Sequence, residues 1–166
     1  MRRVTILFLL VLLPTWLMSA AAQVQSVGVA GDGEFTRITI MSETPMRPDV
    51  FLRETEDGLI IEMVPETFAL THEPFFAEPT GGVFAYTLAS DRIVFELDRP
   101  MMVMREIDLP PAGNERLFRY ILDLSGVSLT RFQSAAKRDA SRFARFEAAR
   151  YAAAESGAQT PVQSAS

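Results

Sequence analysis

The sequence predicts an all-β fold: a small β-sandwich of two related sheets with an internal pseudo-two-fold repeat, followed by one C-terminal α-helix. Three observations carry this. First, the segment Thr36 to Pro45 is echoed by Asp91 to Pro100, 55 residues later. Both read polar, Arg, Ile, β-former, apolar, then a short polar stretch closed by Pro. Second, Leu59-Ile60-Ile61-Glu62-Met63 is echoed by Tyr120-Ile121-Leu122-Asp123-Leu124, 61 residues later. The echoes agree in phase, Ile38 with Ile93, Ile40 with Phe95, and Ile61 with Leu122. A slip of one residue would turn each apolar row to water. Third, the texture changes after Ser128, where an Ala-, Arg- and Glu-rich run without Gly or Pro begins.

The elements follow in order. Arg2 and Arg3 precede an apolar stretch, Val4 to Met18, and a small-residue zone at Ser19 to Ala22. This is the pattern of a secretory signal peptide over residues 1–22. Its core of about 15 apolar residues is short for a membrane span, which needs roughly 20; a retained anchor is the alternative. No Cys follows, so there is no lipidation site. The mature chain then starts near Gln23, and residues 23–129 form the sandwich. Val24 to Val29 alternates and reads as a strand. Ala30-Gly31-Asp32-Gly33-Glu34 is a hairpin turn, with two Gly free to take positive φ. Phe35 to Met41 alternates cleanly, Arg37 and Thr39 opposite Ile38 and Ile40. Asp49 to Thr55 and Leu59 to Val64 flank a turn at Glu56-Asp57-Gly58.

A Pro- and Gly-rich connection, Pro65 to Gly82, separates the repeats, and its Phe68, Leu70, Phe75 and Phe76 are expected to pack onto the domain. The second repeat runs as Val83 to Ala89, Arg92 to Leu97, Met101 to Ile107 and Leu117 to Leu124, with a longer turn at Leu109 to Asn114. Each repeat is expected to supply one four-stranded sheet, the two packed face to face. Residues 130–154 read as a helix whose first half docks on the sandwich and whose end frays, with Phe132, Ala135, Ala136, Phe143, Phe146 and Tyr151 as its apolar stripe. Residues 155–166 are polar and small and read as a disordered tail.

Composition narrows the function. Loss of Arg2 and Arg3 leaves 14 basic against 21 acidic residues in the mature chain. That balance disfavours nucleic acid and anionic lipid headgroups as partners. The chain has no Cys, so an exported domain of this kind holds by packing alone, which suits a bacterial envelope protein. The single His, His72, lies beside Glu73; a surface or capping role suits it better than metal or acid–base work. Glu62, Asp123, Glu96 and Asp98 fall on strands of related position, but Glu62 and Asp123 are repeat mates, which duplication explains without glycan cleavage. Met41, Met46, Met63, Met101, Met102 and Met104 read as core filling rather than thioether metal ligands. No nucleotide loop, nucleophile elbow or zinc motif is present.

The Arg residues are the best binding candidates. Arg37 and Arg92 are repeat mates on polar faces, with Arg99 and Arg47 next, and Arg53 and Arg105 behind them. A guanidinium engages carboxylates bidentately, either of a ligand or of a neighbouring Asp or Glu.

The order of signal peptide, Val24-Gln25-Ser26-Val27-Gly28-Val29, Phe35-Thr36-Arg37-Ile38-Thr39-Ile40, Arg92-Ile93-Val94-Phe95-Glu96-Leu97 and Tyr120-Ile121-Leu122-Asp123-Leu124 resembles an AMIN domain. The likeness spans Val24 to Leu129 and is strongest to the N-terminal module of alphaproteobacterial N-acetylmuramoyl-L-alanine amidases. It implies a non-catalytic β-sandwich in the periplasm of a Gram-negative envelope. Its partner would be peptidoglycan, and its role to place an envelope protein at the wall or division site. Arg37, Arg92, Arg99 and Arg47 would then meet peptidoglycan carboxylates, with no catalytic residue, metal or other cofactor. The amidase zinc domain does not follow, and one His cannot build a His₂Glu site. The alternatives are an amidase fragment, whose catalytic domain would be its partner, and a module docking a pilus secretin or divisome protein. No nucleic acid or, after signal cleavage, membrane contact is expected.

Overall fold

Alternating apolar residues generate ten strands and one helix in the computed structural model, which describes residues 22–65, 68–69, 75–76 and 80–158. Residues 1–21 of the expected signal peptide (1–22), His72, Leu70 and the tail beyond 158 lie outside the described residues. The long strands are β1 (Ala22–Gly31), β2 (Phe35–Ser42), β3 (Pro48–Glu54) and β4 (Leu59–Pro65). Within the connection, β5 (Phe68–Ala69) and β6 (Phe75–Phe76) are two-residue strands that pair parallel with β1. Then come β7 (Val83–Leu88), β8 (Ile93–Leu97), β9 (Met101–Leu109) and β10 (Phe118–Gly126), and the helix α1 (Leu129–Ala158).

The first sheet runs β5-β1-β2-β10-β9, with β6 also on β1, and the second runs β3-β4-β8-β7. All pairs among the long strands are antiparallel. The expectation of one sheet per repeat is thus corrected: each sheet takes one hairpin from each half of the chain. Alternation decides which face a residue occupies but not which strand lies beside it. Here the inner strands of distant hairpins join. Ile38 lies opposite Leu122 and Ile40 opposite Tyr120 in the first sheet, and Ile61 lies opposite Phe95 in the second. The inner rows of both sheets meet in a single buried cluster, as in a β-sandwich. Ile38, Ile40, Leu122 and Leu124 from one sheet, and Ile61, Met63, Ile93 and Phe95 from the other, have no exposed surface. Met46 and Met101 fill the same core, as expected, whereas Met104 stands exposed on β9.

Two turns are fixed locally. Asp32 Oδ1 accepts from the N–H groups of Glu34 and Phe35, both at 2.9 Å, closing the β1–β2 hairpin. Gly81 adopts φ +80°, and a Cβ there would lie 2.3 Å from Thr36 Oγ1. That buried hydroxyl accepts from Gly82 N–H at 2.9 Å, which ties the start of β7 to β2.

The helix differs most from expectation. It starts at Leu129, preceded by Ser128, whose Oγ accepts from Arg131 N–H at 3.3 Å as an N-cap. It continues to Ala158, through four residues expected to be disordered. Its first turns insert Phe132, Ala135 and Ala136 into the core. Its middle turns lie on the outer face of the second sheet, where Phe143 and Phe146 pack on Phe51 at 5.1 and 5.4 Å between ring centroids, while residues 151–155 are helical but exposed. The run Val50-Phe51-Leu52 is buried throughout, because β3 has core on one side and α1 on the other. The helix also closes the β3 edge. Asp139 Oδ2 accepts from Leu52 N–H at 2.9 Å, and Arg142 donates to the Val50 carbonyl. Two side chains thereby stand where a neighbouring strand would pair.

Candidate functional site

The two sheets each place one carboxylate paired with an Arg on their outer faces. In the first sheet Arg37 and Asp123 are register partners across β2 and β10. Arg37 donates from Nε to Oδ1 at 2.7 Å and from Nη2 to Oδ2 at 2.9 Å, a bidentate pair. Arg105, from β9, adds a third charge with its Nε 3.9 Å from Oδ2. The carboxylate is 9% exposed, while the Arg37 and Arg105 side chains are 45% and 65% exposed. Phe35, exposed on the same strand, lies 5.9 Å from the Arg37 guanidinium. This face is an open patch of two cations over one nearly buried anion, flanked by an aromatic ring.

Hydrogen bonding from Arg37, reinforced by its charge and that of Arg105, holds the Asp123 carboxyl below its ordinary range. A carboxyl lowered in the folded state stabilises the fold above its unfolded-state value. The contribution is lost as pH falls through the folded-state value. The stability of the wild-type protein should therefore fall more steeply than that of Asp123→Asn as pH drops below about 4. Urea denaturation midpoints at several acid pH values test this, and parallel curves for the two proteins would reject it.

In the second sheet the equivalent pair is covered. Glu62 is buried and accepts at both oxygens, one from Arg53 and one from Arg92. Arg92 also bonds Asp91 at 2.7 Å and lies 3.6 Å from Glu147 of α1. Arg150, one turn further along the helix, reaches Asp91 at 3.3 Å. Arg53 sits 4.4 Å from the Phe143 ring centroid. Hydrogen bonding to Arg92 lowers Asp91, and the same bond holds Arg92 firmly protonated. A closed layer of charge therefore joins the sheet to the helix.

The four predicted Arg residues are not brought together. Arg37 and Arg92 stand on the outer faces of different sheets. Arg99 is engaged by Asp98 at 2.8 and 2.9 Å near the β1–β2 turn. Arg47, between β2 and β3, is 87% exposed and only 4.0 Å from Asp108. Sequence reasoning ranked Arg105 low and passed over Phe35 and Arg119. The alternation Arg119, Ile121, Asp123 along β10 was the available signal, since it puts those residues on the face opposite Tyr120 and Leu122. Glu62 and Asp123, considered as a hydrolytic pair, lie on opposite outer faces and are each occupied by Arg. Among the described residues no group of three or more His, Cys, Asp or Glu is placed to hold a metal ion. No family model matches this chain, and no curated protein shows significant similarity to it.

Proposed function

We propose that this chain is an exported, non-catalytic module of AMIN type that binds peptidoglycan in the periplasm through the outer face of its first sheet. The observation that carries the reading is the contrast between the two outer faces. Arg37 and Arg105 are exposed beside a largely buried Asp123, whereas Arg92 and Glu62 are enclosed beneath α1. Asp123 fixes the Arg37 fork in position, and the rest of that fork and most of Arg105 are open to solvent for carboxylates of a wall polymer. Phe35 offers an apolar platform at the same place. Arg92 then serves the fold rather than the ligand.

The internal repeat fits this reading. Replacing each strand by its mate, β1 with β7, β2 with β8, β3 with β9 and β4 with β10, converts the order β1-β2-β10-β9 into β7-β8-β4-β3, the order of the second sheet read in reverse. The pairs Arg37–Asp123 and Arg92–Glu62 exchange under the same rule. We take the two sheets as products of one duplication, with a single copy of the ancestral outer face left free.

Co-sedimentation of the chain from Gln23 with purified sacculi at low salt tests the function. We expect the wild type in the pellet, and Arg37→Ala with Arg105→Ala to weaken binding at least tenfold. Charge-assisted hydrogen bonds contribute about 1.5–3 kcal/mol each, and about 1.4 kcal/mol is a factor of ten. Arg99→Ala should bind like the wild type. A wild-type protein that stays in the supernatant refutes wall binding; a folded double variant that still pellets refutes this face.

A further inference from the structure

A second site is carried by the cavity where the β2–β3 connection meets the base of the β9–β10 hairpin. It encloses about 200 Å³ and is lined by Met46, Phe118 and Tyr120 together with Arg47, Asp108 and Arg119. The Tyr120 hydroxyl is already committed, donating to Glu106 at 2.6 Å. Arg119 Nε is different: it is buried and has no hydrogen-bond partner. A buried guanidinium N–H without an acceptor is costly to keep, and a planar carboxylate is the acceptor its fork geometry suits. Arg47 stands at the same cavity, held only at 4.0 Å by Asp108 and otherwise exposed. Arg47 and Arg119 thus face Asp108 and the Tyr120-bound Glu106 around largely apolar walls.

We propose that this cavity receives the free carboxyl end of a short peptide whose last side chains are small and apolar. Arg119 and Arg47 would take the carboxylate, and Met46 and Phe118 the terminal side chains. Drug-sized ligands need pockets of about 300–1,000 Å³, so a space of about 200 Å³ admits the last one or two small residues of a chain and little more. We assign the peptide to the wall, which rests on the function proposed above; the chemistry of the pocket does not.

The probes are N-acetyl-D-alanyl-D-alanine, its C-terminal amide, and the L,L free acid, titrated into the chain from Gln23 while the arginine Nε–H resonances are followed by NMR. The D,D free acid is expected to move the Arg119 Nε–H signal. The amide is expected to leave it in place, and Arg47→Gln to weaken the acid at least tenfold. Arg47 is exposed, so that variant keeps its fold, and Arg119→Gln is a second test where it too remains folded. Equal response to acid and amide, or no response of Arg119 to either, overturns the site. Tighter binding of the L,L acid reassigns the pocket to a protein C-terminus and overturns the wall assignment. Sacculi that still pellet the protein when the dipeptides fail to bind leave the first-sheet function standing and remove only this inference.

Discussion

Phe51→Ala is expected to lower the unfolding free energy by about 3–5 kcal/mol, the range for a fully buried aromatic replaced by Ala. Phe51 has no exposed surface. It meets Phe143 edge-on at 81° and Phe146 at 54°, and the Arg142 guanidinium sits 4.3 Å from its ring centroid. Aromatic pairs of this kind add about 0.5–1.5 kcal/mol each beyond area. Removing the ring therefore frees the second half of α1 along with emptying the space. Urea denaturation followed by circular dichroism reads both, since helical signal should begin to fall ahead of the sheet. Tyr151→Ala is the control, because that residue is 68% exposed and surface changes stay within about 0.5 kcal/mol. A loss below about 1 kcal/mol for Phe51→Ala would mean that the helix is not anchored there.

The second large effect is expected at Glu62. Arg53→Met with Arg92→Met strips both cations from a carboxylate that is 1% exposed. Breaking a buried ion pair from one side costs about 3–5 kcal/mol, because a desolvated charge is left alone. Adding Glu62→Met should recover most of that loss, since well-packed apolar replacements of buried ion groups are often neutral or stabilising. Recovery should be incomplete by the smaller share that Arg92 contributes through Asp91 and Glu147. Denaturant midpoints of the double and triple variants decide the matter. A triple variant no more stable than the double would mean that the Arg side chains act through their alkyl packing, and not by neutralising Glu62.

The sequence made the strands legible because alternation is a local property. Ile38 and Ile40 against Arg37 and Thr39 is readable without knowing any neighbour, and so is Ile93 and Phe95 against Arg92 and Val94. The Ala-rich run after Ser128 likewise announces its helix. Strand neighbours were not legible, because pairing Arg37 with Asp123 joins residues 86 apart in the chain. Equal apolar rows on every hairpin allow several such joins. The fate of the helix's second half was half visible. Phe143 and Phe146 lie on its stripe, and Val50-Phe51-Leu52 breaks alternation in the manner of a strand buried on both sides. Only the fold joins those two signals. For the candidate site, sequence placed Arg37 and Arg92 as mates but gave no means to see that the helix covers one and leaves the other open. The cavity at Arg119 was beyond reach, since it forms between a connection and a hairpin whose approach no local pattern encodes.

The exchange of hairpins between the sheets sets the tempo and the hazards of folding. Neither half of the chain can complete a sheet by itself, so β2 must wait for β10 and β4 for β8. Topologies dominated by such distant pairing close slowly, on the millisecond-to-second scale, because large loops are ordered before their contacts form. Until closure, each half is a pair of hairpins with bare inner edges complementary to the other half, in its own molecule or in a neighbour's. At high concentration the same geometry that makes one chain an indivisible unit lets two chains trade halves. Domain-swapped dimers are then a natural by-product of crowded refolding.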